Sequence, residues 1–183
     1  SRRRGRHKKD TRSGMTDYEK YISKTAKNIP PSGIRKFFDI VKDYDDAISL
    51  GVGEPDFPTP WAARDAAIKS INAGYTQYTS NSGLMELREL ACRYFKGRFN
   101  LTYDPKDEII VTAGASEAIF LALRAFINDG DEVIVPDPSY VSYAPSITLC
   151  GGVPVSLQCF EKDNFKITPE NLKKAISDKT KII

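Results

Sequence analysis

Residues 109–120 read Ile-Ile-Val-Thr-Ala-Gly-Ala-Ser-Glu-Ala-Ile-Phe. Ile109 to Val111 is a β-branched, apolar run that predicts a strand. A helical pattern follows at once, with Ala118, Leu121, Ala122 and Ala125 at helical spacing. Gly114-Ala115-Ser116 joins the two. A strand that turns straight into a helix leaves backbone N–H groups free at the helix N-terminus. Those donors and the helix dipole suit a bound phosphate. Ser116 adds a hydroxyl. The turn is not Gly-x-Gly-x-x-Gly, so the dinucleotide fingerprint is absent. Small residues at such a turn can also serve close packing alone.

Outward from this turn, punctuation divides the chain. Ile48 to Leu50 reads as a short strand, and Gly51 to Pro58 as irregular. Thr59 and Pro60 predict the N-cap and first position of a helix to about Ala73. Asn81 or Ser82 predicts the cap of the next helix. Its apolar face is Leu84, Leu87, Leu90, Ala91 and Phe95, with Arg88, Glu89 and Arg93 in solvent. Val133 to Val135 predicts a buried strand ended by Pro136 and Pro138. Tyr143 to Leu149 reads as a helix closed by Gly151-Gly152, and Val153 to Leu157 as a strand. Thr168-Pro169-Glu170 starts the last helix, with Leu172, Ala175 and Ile176 inward. Lys181-Ile182-Ile183 begins a strand. Strands alternating with helices predict an α/β fold with a mostly parallel sheet covered on both faces.

Composition narrows the function. Hydrophobic residues make up 40% and charged residues 28%, so the chain is of the globular and not the disordered class. No apolar run reaches membrane-span length, and no h-region follows the basic start. Seven basic residues against Asp10 give residues 1–14 a net +6, so the rest carries −3 of the total +3. The body is therefore a poor nucleic-acid surface, and the tail reads as a disordered arm. Cys92, Cys150 and Cys159 have no Cys-x-x-Cys spacing, which points to reduced thiols in a cytoplasmic protein. The only histidine, His7, lies in the tail, which removes nearly every mechanism based on a histidine base or a histidine-rich metal site.

Three further stretches stand in register with the turn: Ile48-Ser-Leu-Gly-Val-Gly-Glu-Pro-Asp-Phe-Pro-Thr-Pro60, Tyr75-Thr-Gln-Tyr-Thr-Ser-Asn-Ser-Gly83 leading into Leu84-Met-Glu-Leu-Arg-Glu-Leu90, and Gly130-Asp-Glu-Val-Ile-Val-Pro-Asp-Pro-Ser-Tyr-Val-Ser-Tyr143. Together with residues 109–120 they resemble the N-terminal half of class I/II aminotransferases, fold-type I enzymes that use pyridoxal 5′-phosphate (PLP). The likeness runs from about Ile34 to the last residue. It implies a three-layer α-β-α large domain with a mostly parallel sheet. It divides the chain into a basic tail (1–14), an N-terminal arm and small-domain segment (15–58), and the first half of the PLP-binding domain (59–183).

The resemblance also implies roles. Gly114, Ala115 and Ser116 would hold the cofactor phosphate, and Tyr140 would stack on the pyridine ring, where several members carry Trp. Tyr143, three residues on, reads as a core residue, with support of Tyr140 as the alternative. Gly53 and Ile34 would lie beside the substrate carboxylate. Tyr78 would cross a homodimer interface to the partner's phosphate, with Tyr75 as its nearby competitor. No lysine matches the Schiff-base position, and Arg35 and Arg88 do not match the substrate-clamping arginine. The chain thus reads as an N-terminal fragment without catalytic residues or a metal, inactive by itself. The implied activity is amino-group transfer between an amino acid and a 2-oxo acid. A fold-type I carbon–sulfur lyase and a non-catalytic interaction fragment are the alternatives.

Overall fold

The computed structural model describes residues 18–30, 53 and 55–183. The basic tail, Ile34 and the Ile48–Leu50 stretch lie outside them. In chain order the helices and strands are α1 (Lys24–Lys27), α2 (Trp61–Asn72), α3 (Met85–Phe99), α4 (Ala115–Phe126), β1 (Glu132–Asp137), α5 (Tyr143–Leu149), β2 (Val153–Gln158), α6 (Pro169–Ala175) and β3 (Thr180–Ile182). Among the described residues no helix is long and apolar enough to cross a membrane.

The strands form one parallel sheet in the order β2-β1-β3. A parallel pair needs a crossover, and α5 and α6 supply the two crossovers. Alternation along β1 then sorts the core. Val133 joins Leu123 and Ile127 at the end of α4 and Ile147 and Cys150 of α5, with Val135 packed against them. Ile134 faces the other way and is 1% exposed. Its register partner Val155 shares that face with Leu157, where α6 packs on β2. The helices therefore cover both faces of the sheet, as a three-layer α/β fold requires.

The close of α5 shows why two glycines stand there. Gly151 adopts φ +89°, a left-handed stop after the helix. Gly152 lets the chain pass Ile127 and Ile147, whose methyl carbons would lie 3.0 Å from an added Cβ. α6 begins as its sequence predicts: Thr168 accepts a hydrogen bond from the Asn171 N–H at 3.2 Å, with Pro169 at the first position.

Several sequence expectations are corrected. Ile109–Val111 is in no strand, because no neighbouring chain among the described residues pairs with it. β1 does not end at Pro136 but runs to Asp137. The carbonyls of Asp131 and Asp137 accept from β2, whereas the Glu132 N–H donates toward β3. Pro136 therefore has its missing donor on the β3 side, where pairing has already stopped at Val133. Thr59 does not cap α2. Pro60 is extended there and its carbonyl accepts the first helical bonds. Neither Asn81 nor Ser82 caps α3, because Gly83 at φ +91° separates them from it and Leu84 takes the cap position. Ile176 is half-exposed at the end of α6 rather than inward.

The largest correction concerns α3. Its predicted core leucines, Leu84, Leu87 and Leu90, are 54%, 46% and 54% exposed. Arg88, expected in solvent, is 5% exposed. Its guanidinium Nη1 donates to the carbonyls of Pro105 at 2.6 Å and Lys106 at 3.0 Å. A buried guanidinium is tolerated only with such acceptors.

Candidate phosphate and ring-binding site

The site begins where chain and helix meet. Gly114 is the N-cap of α4, and its carbonyl accepts from the N–H groups of Glu117 at 3.2 Å and Ala118 at 3.3 Å. The N–H groups of Gly114, Ala115 and Ser116 find no acceptor among the described residues, the ordinary state of a first helical turn. The lead-in is held from both sides. The Thr112 hydroxyl donates to the Gly114 carbonyl at 2.9 Å. The Glu117 carboxylate reaches back to accept from the Ala113 N–H at 2.6 Å. Nothing lies within 4 Å of the place a Cβ on Gly114 would take, so that side of the turn is open.

Glu117 is the residue holding this turn that the sequence reading missed. A glutamate at the third helical position that bonds back to the chain before the cap is half of a capping box. The signal was present in the Gly-Ala-Ser-Glu order. It was masked because Gly114 has no side chain to form the other half.

Tyr140 reaches this turn from the opposite direction, just after β1. It is 49% exposed. Its hydroxyl lies 3.3 Å from the Ser116 hydroxyl, although the two residues are 24 apart in sequence. Tyr143, at the start of α5, holds the ring edge-to-face at 5.5 Å and 85°. Tyr143 is half-buried, so it supports Tyr140 rather than lying in the core. The Tyr140 hydroxyl ionises below the usual tyrosine range. Hydrogen bonds from Ser116 first and Ser142 second favour the phenolate, and slight burial opposes them. A hollow of about 440 Å³ lies between Tyr140, Ser139, Asp137 and Ser156.

The sequence-predicted residues thus separate into two groups. Gly114, Ala115, Ser116 and Tyr140 come together. Tyr78 stands fully exposed and Tyr75 is 77% exposed, neither in contact with the turn. Gly53 is exposed with open space around it, and Ile34 lies outside the described residues. No lysine lines the hollow beside Tyr140. Among the described residues no group of three or more His, Cys, Asp or Glu is placed to hold a metal ion. Chemically, the turn offers three N–H donors, one hydroxyl and the positive end of a 12-residue helix dipole. The ring beside it offers an aromatic face. Together they suit a planar ligand that carries a phosphate.

Comparison with known proteins gives the same direction. A family model described as "Aminotransferase class I and II" matches residues 45–183. A putative aminotransferase of Bacillus subtilis is 48% identical over 163 residues, which cover 89% of this chain and 42% of that protein. An aspartate aminotransferase of Pyrococcus abyssi is 44% identical over 155 residues, 85% of this chain and 40% of its own length. Among solved structures, the aspartate aminotransferase of Thermus thermophilus with maleate superposes with a TM-score of 0.80 at 32% identity, over 88% of this chain and 43% of that one. The chain thus spans about 40% of the length of the relatives it matches.

Proposed function

The chain belongs to the class I and II aminotransferases, and from that premise we propose that it carries the phosphate turn and ring platform of a PLP enzyme that moves an amino group between an amino acid and a 2-oxo acid. The observation that carries this reading is the meeting of Ser116 and Tyr140 at an open helix N-terminus. The N–H groups of Gly114, Ala115 and Ser116 and the Ser116 hydroxyl would hold the cofactor phosphate. Tyr140, braced by Tyr143, would lie against the pyridine ring and fix its plane. When bound, PLP supplies a reactive aldehyde joined to an electron-accepting ring. Glu117 does not face the anion as a free carboxylate, because its oxygen already accepts the Ala113 N–H.

Tyr78 and Gly53 take their roles in this proposal from the resemblance. Full exposure of Tyr78 suits a residue that acts on a second copy, and so a homodimer. Gly53 and Ile34 would border the substrate carboxylate. Lys162 sits over the Phe160 ring, 5.7 Å from its centroid, and no lysine of the chain matches the Schiff-base position of the resemblance. The 183-residue chain alone is therefore expected to show no oxo-acid production above a buffer control.

The test is a titration of the chain with inorganic phosphate and with PLP, followed by the amide resonances of Gly114, Ala115 and Ser116. Both ligands should move those resonances. Ser116→Ala removes a hydrogen bond to a dianion, worth about 1.5–3 kcal/mol, and should weaken binding about 10- to 150-fold. The same variant removes the largest cause of the lowered Tyr140 ionisation. A phenolate favoured by its partners forms at lower pH, so its loss should move the ultraviolet titration of Tyr140 upward. Unchanged affinity in Ser116→Ala, with phosphate moving other resonances, would defeat the reading.

A further inference from the structure

The segment that enters the phosphate turn, residues 109–113, has no strand on either side of it among the described residues. Among the described residues two contacts bear on its position. The first is Arg88, the buried charge in α3. Its Nη1 holds the carbonyls of Pro105 and Lys106, and its Nε has no partner among the described residues. That turn is closed on itself: Asp104 accepts from the Lys106 N–H at 2.8 Å, and Glu108 accepts from the Asp104 N–H at 2.7 Å. The second contact is at Val111, three residues before Gly114. Its N–H donates to the Ser82 carbonyl at 3.0 Å. The adjoining Gly83 sits at φ +91°, and an added Cβ would fall 2.7 Å from the Val111 Cβ. Only glycine fits there, for its dihedral and for the close approach. Ser80 and Gly83 are also joined, by the Gly83 N–H to the Ser80 carbonyl and the Ser80 hydroxyl to the Gly83 carbonyl.

We propose that Arg88 and Gly83 are positioning residues for the phosphate turn, clamping the chain that leads into it just ahead of the segment, through Pro105 and Lys106, and at the segment's middle, through Val111. Neither touches the ligand site. The clamp also ties the Tyr75–Gly83 loop, and with it Tyr78, to the same segment. This inference rests on the reading of Gly114–Ser116 as the anion-binding turn.

The test uses the full 183-residue chain and inorganic phosphate. Two readouts are taken: hydrogen exchange of the Ala113 amide, which is bonded to Glu117 and lies outside both contacts, and phosphate affinity. Gly83→Ala and Arg88→Leu should each speed Ala113 exchange and weaken phosphate by about tenfold, while exchange at Ile134 in β1 stays unchanged. Arg88→Lys should restore most of both losses, because both carbonyl bonds come from one nitrogen that a lysine Nζ can replace. If Arg88→Leu does not fold, Val111→Ala, which loosens the contact with Gly83 from the other side, should move the same two readouts. Unchanged Ala113 exchange in these variants overturns the proposal. So does a loss that Ile134 shares in full, or a lysine variant no better than leucine. If phosphate fails to bind even the unaltered chain, the site reading falls. The exchange measurement then decides the clamp by itself.

Discussion

The stretch from Ala115 to Ile182 and the stretch from Trp61 to Phe99 are both written in helical and strand periods, yet they end in opposite states. In the first, Ile134, Ile147 and Cys150 are each 1% exposed, and α4, α5 and α6 close over a sheet. In the second, the leucines of α3 are half-exposed and the one deeply buried side chain is Arg88. The sequence defines which residues share a face. Whether that face is inside depends on a second surface to lie against. The first stretch carries its own partners. In the second, α3 meets Tyr103 through Phe95 and otherwise the backbone carbonyls of Pro105 and Lys106, which only a polar side chain such as Arg88 can satisfy.

The sharpest way to break this contrast is to shorten one side chain in each region. Ile134→Ala opens a cavity in the packed sheet and should cost about 2–5 kcal/mol in urea denaturation. Leu87→Ala, on the exposed face of α3, should cost less than about 0.5 kcal/mol. A large cost for Leu87→Ala that grows with protein concentration would mean that a second copy covers this face in solution.

A smaller effect comes from the caps. Thr168→Ala removes the one side-chain bond at the start of α6 and should lower stability by about 1 kcal/mol. Thr59→Ala should leave stability unchanged within error, since Thr59 caps nothing. Equal losses in the two variants would place a cap at Thr59. The smallest effect belongs to the pair of half-buried Asp65 and exposed Lys69, 2.7 Å apart and four residues along α2. Asp65→Asn should cost only about 0.3–0.5 kcal/mol and less in high salt.

The same contrast explains what could be read beforehand. Gly151-Gly152 and Thr168-Pro169 are local devices, and each acts within a few residues of its own position. They stand where the sequence put them. Tyr143–Leu149 has the same bounds in the sequence reading and in the structure. A parallel sheet under helices also follows from alternation alone. Ile109–Val111 failed as a strand because a strand is defined by its neighbour. Arg88 failed as a solvated residue because its acceptors lie 17 and 18 residues away, with nothing in either stretch to announce the pairing. Of the site, the turn and Tyr140 were legible through their motifs, and the structure brings Ser116 to Tyr140. Their 3.3 Å approach and the bond of Glu117 to Ala113 arise only when the chain folds back on itself.

The strand order β2-β1-β3 has a kinetic consequence. Glu132 pairs with Val153, roughly 20 residues on, but also with Thr180, nearly 50 residues on. Closing the longer loop costs roughly 0.7 kcal/mol more in chain entropy, and β3 brings only a short stretch of ladder in return. The central strand should therefore acquire its β2 edge first and its β3 edge last. In a refolding experiment with pulsed amide labelling, protection at Val155 should precede protection at Ile182. The two sides of one strand would then mature at different times, which makes the β3 edge the last part of the sheet to be sealed.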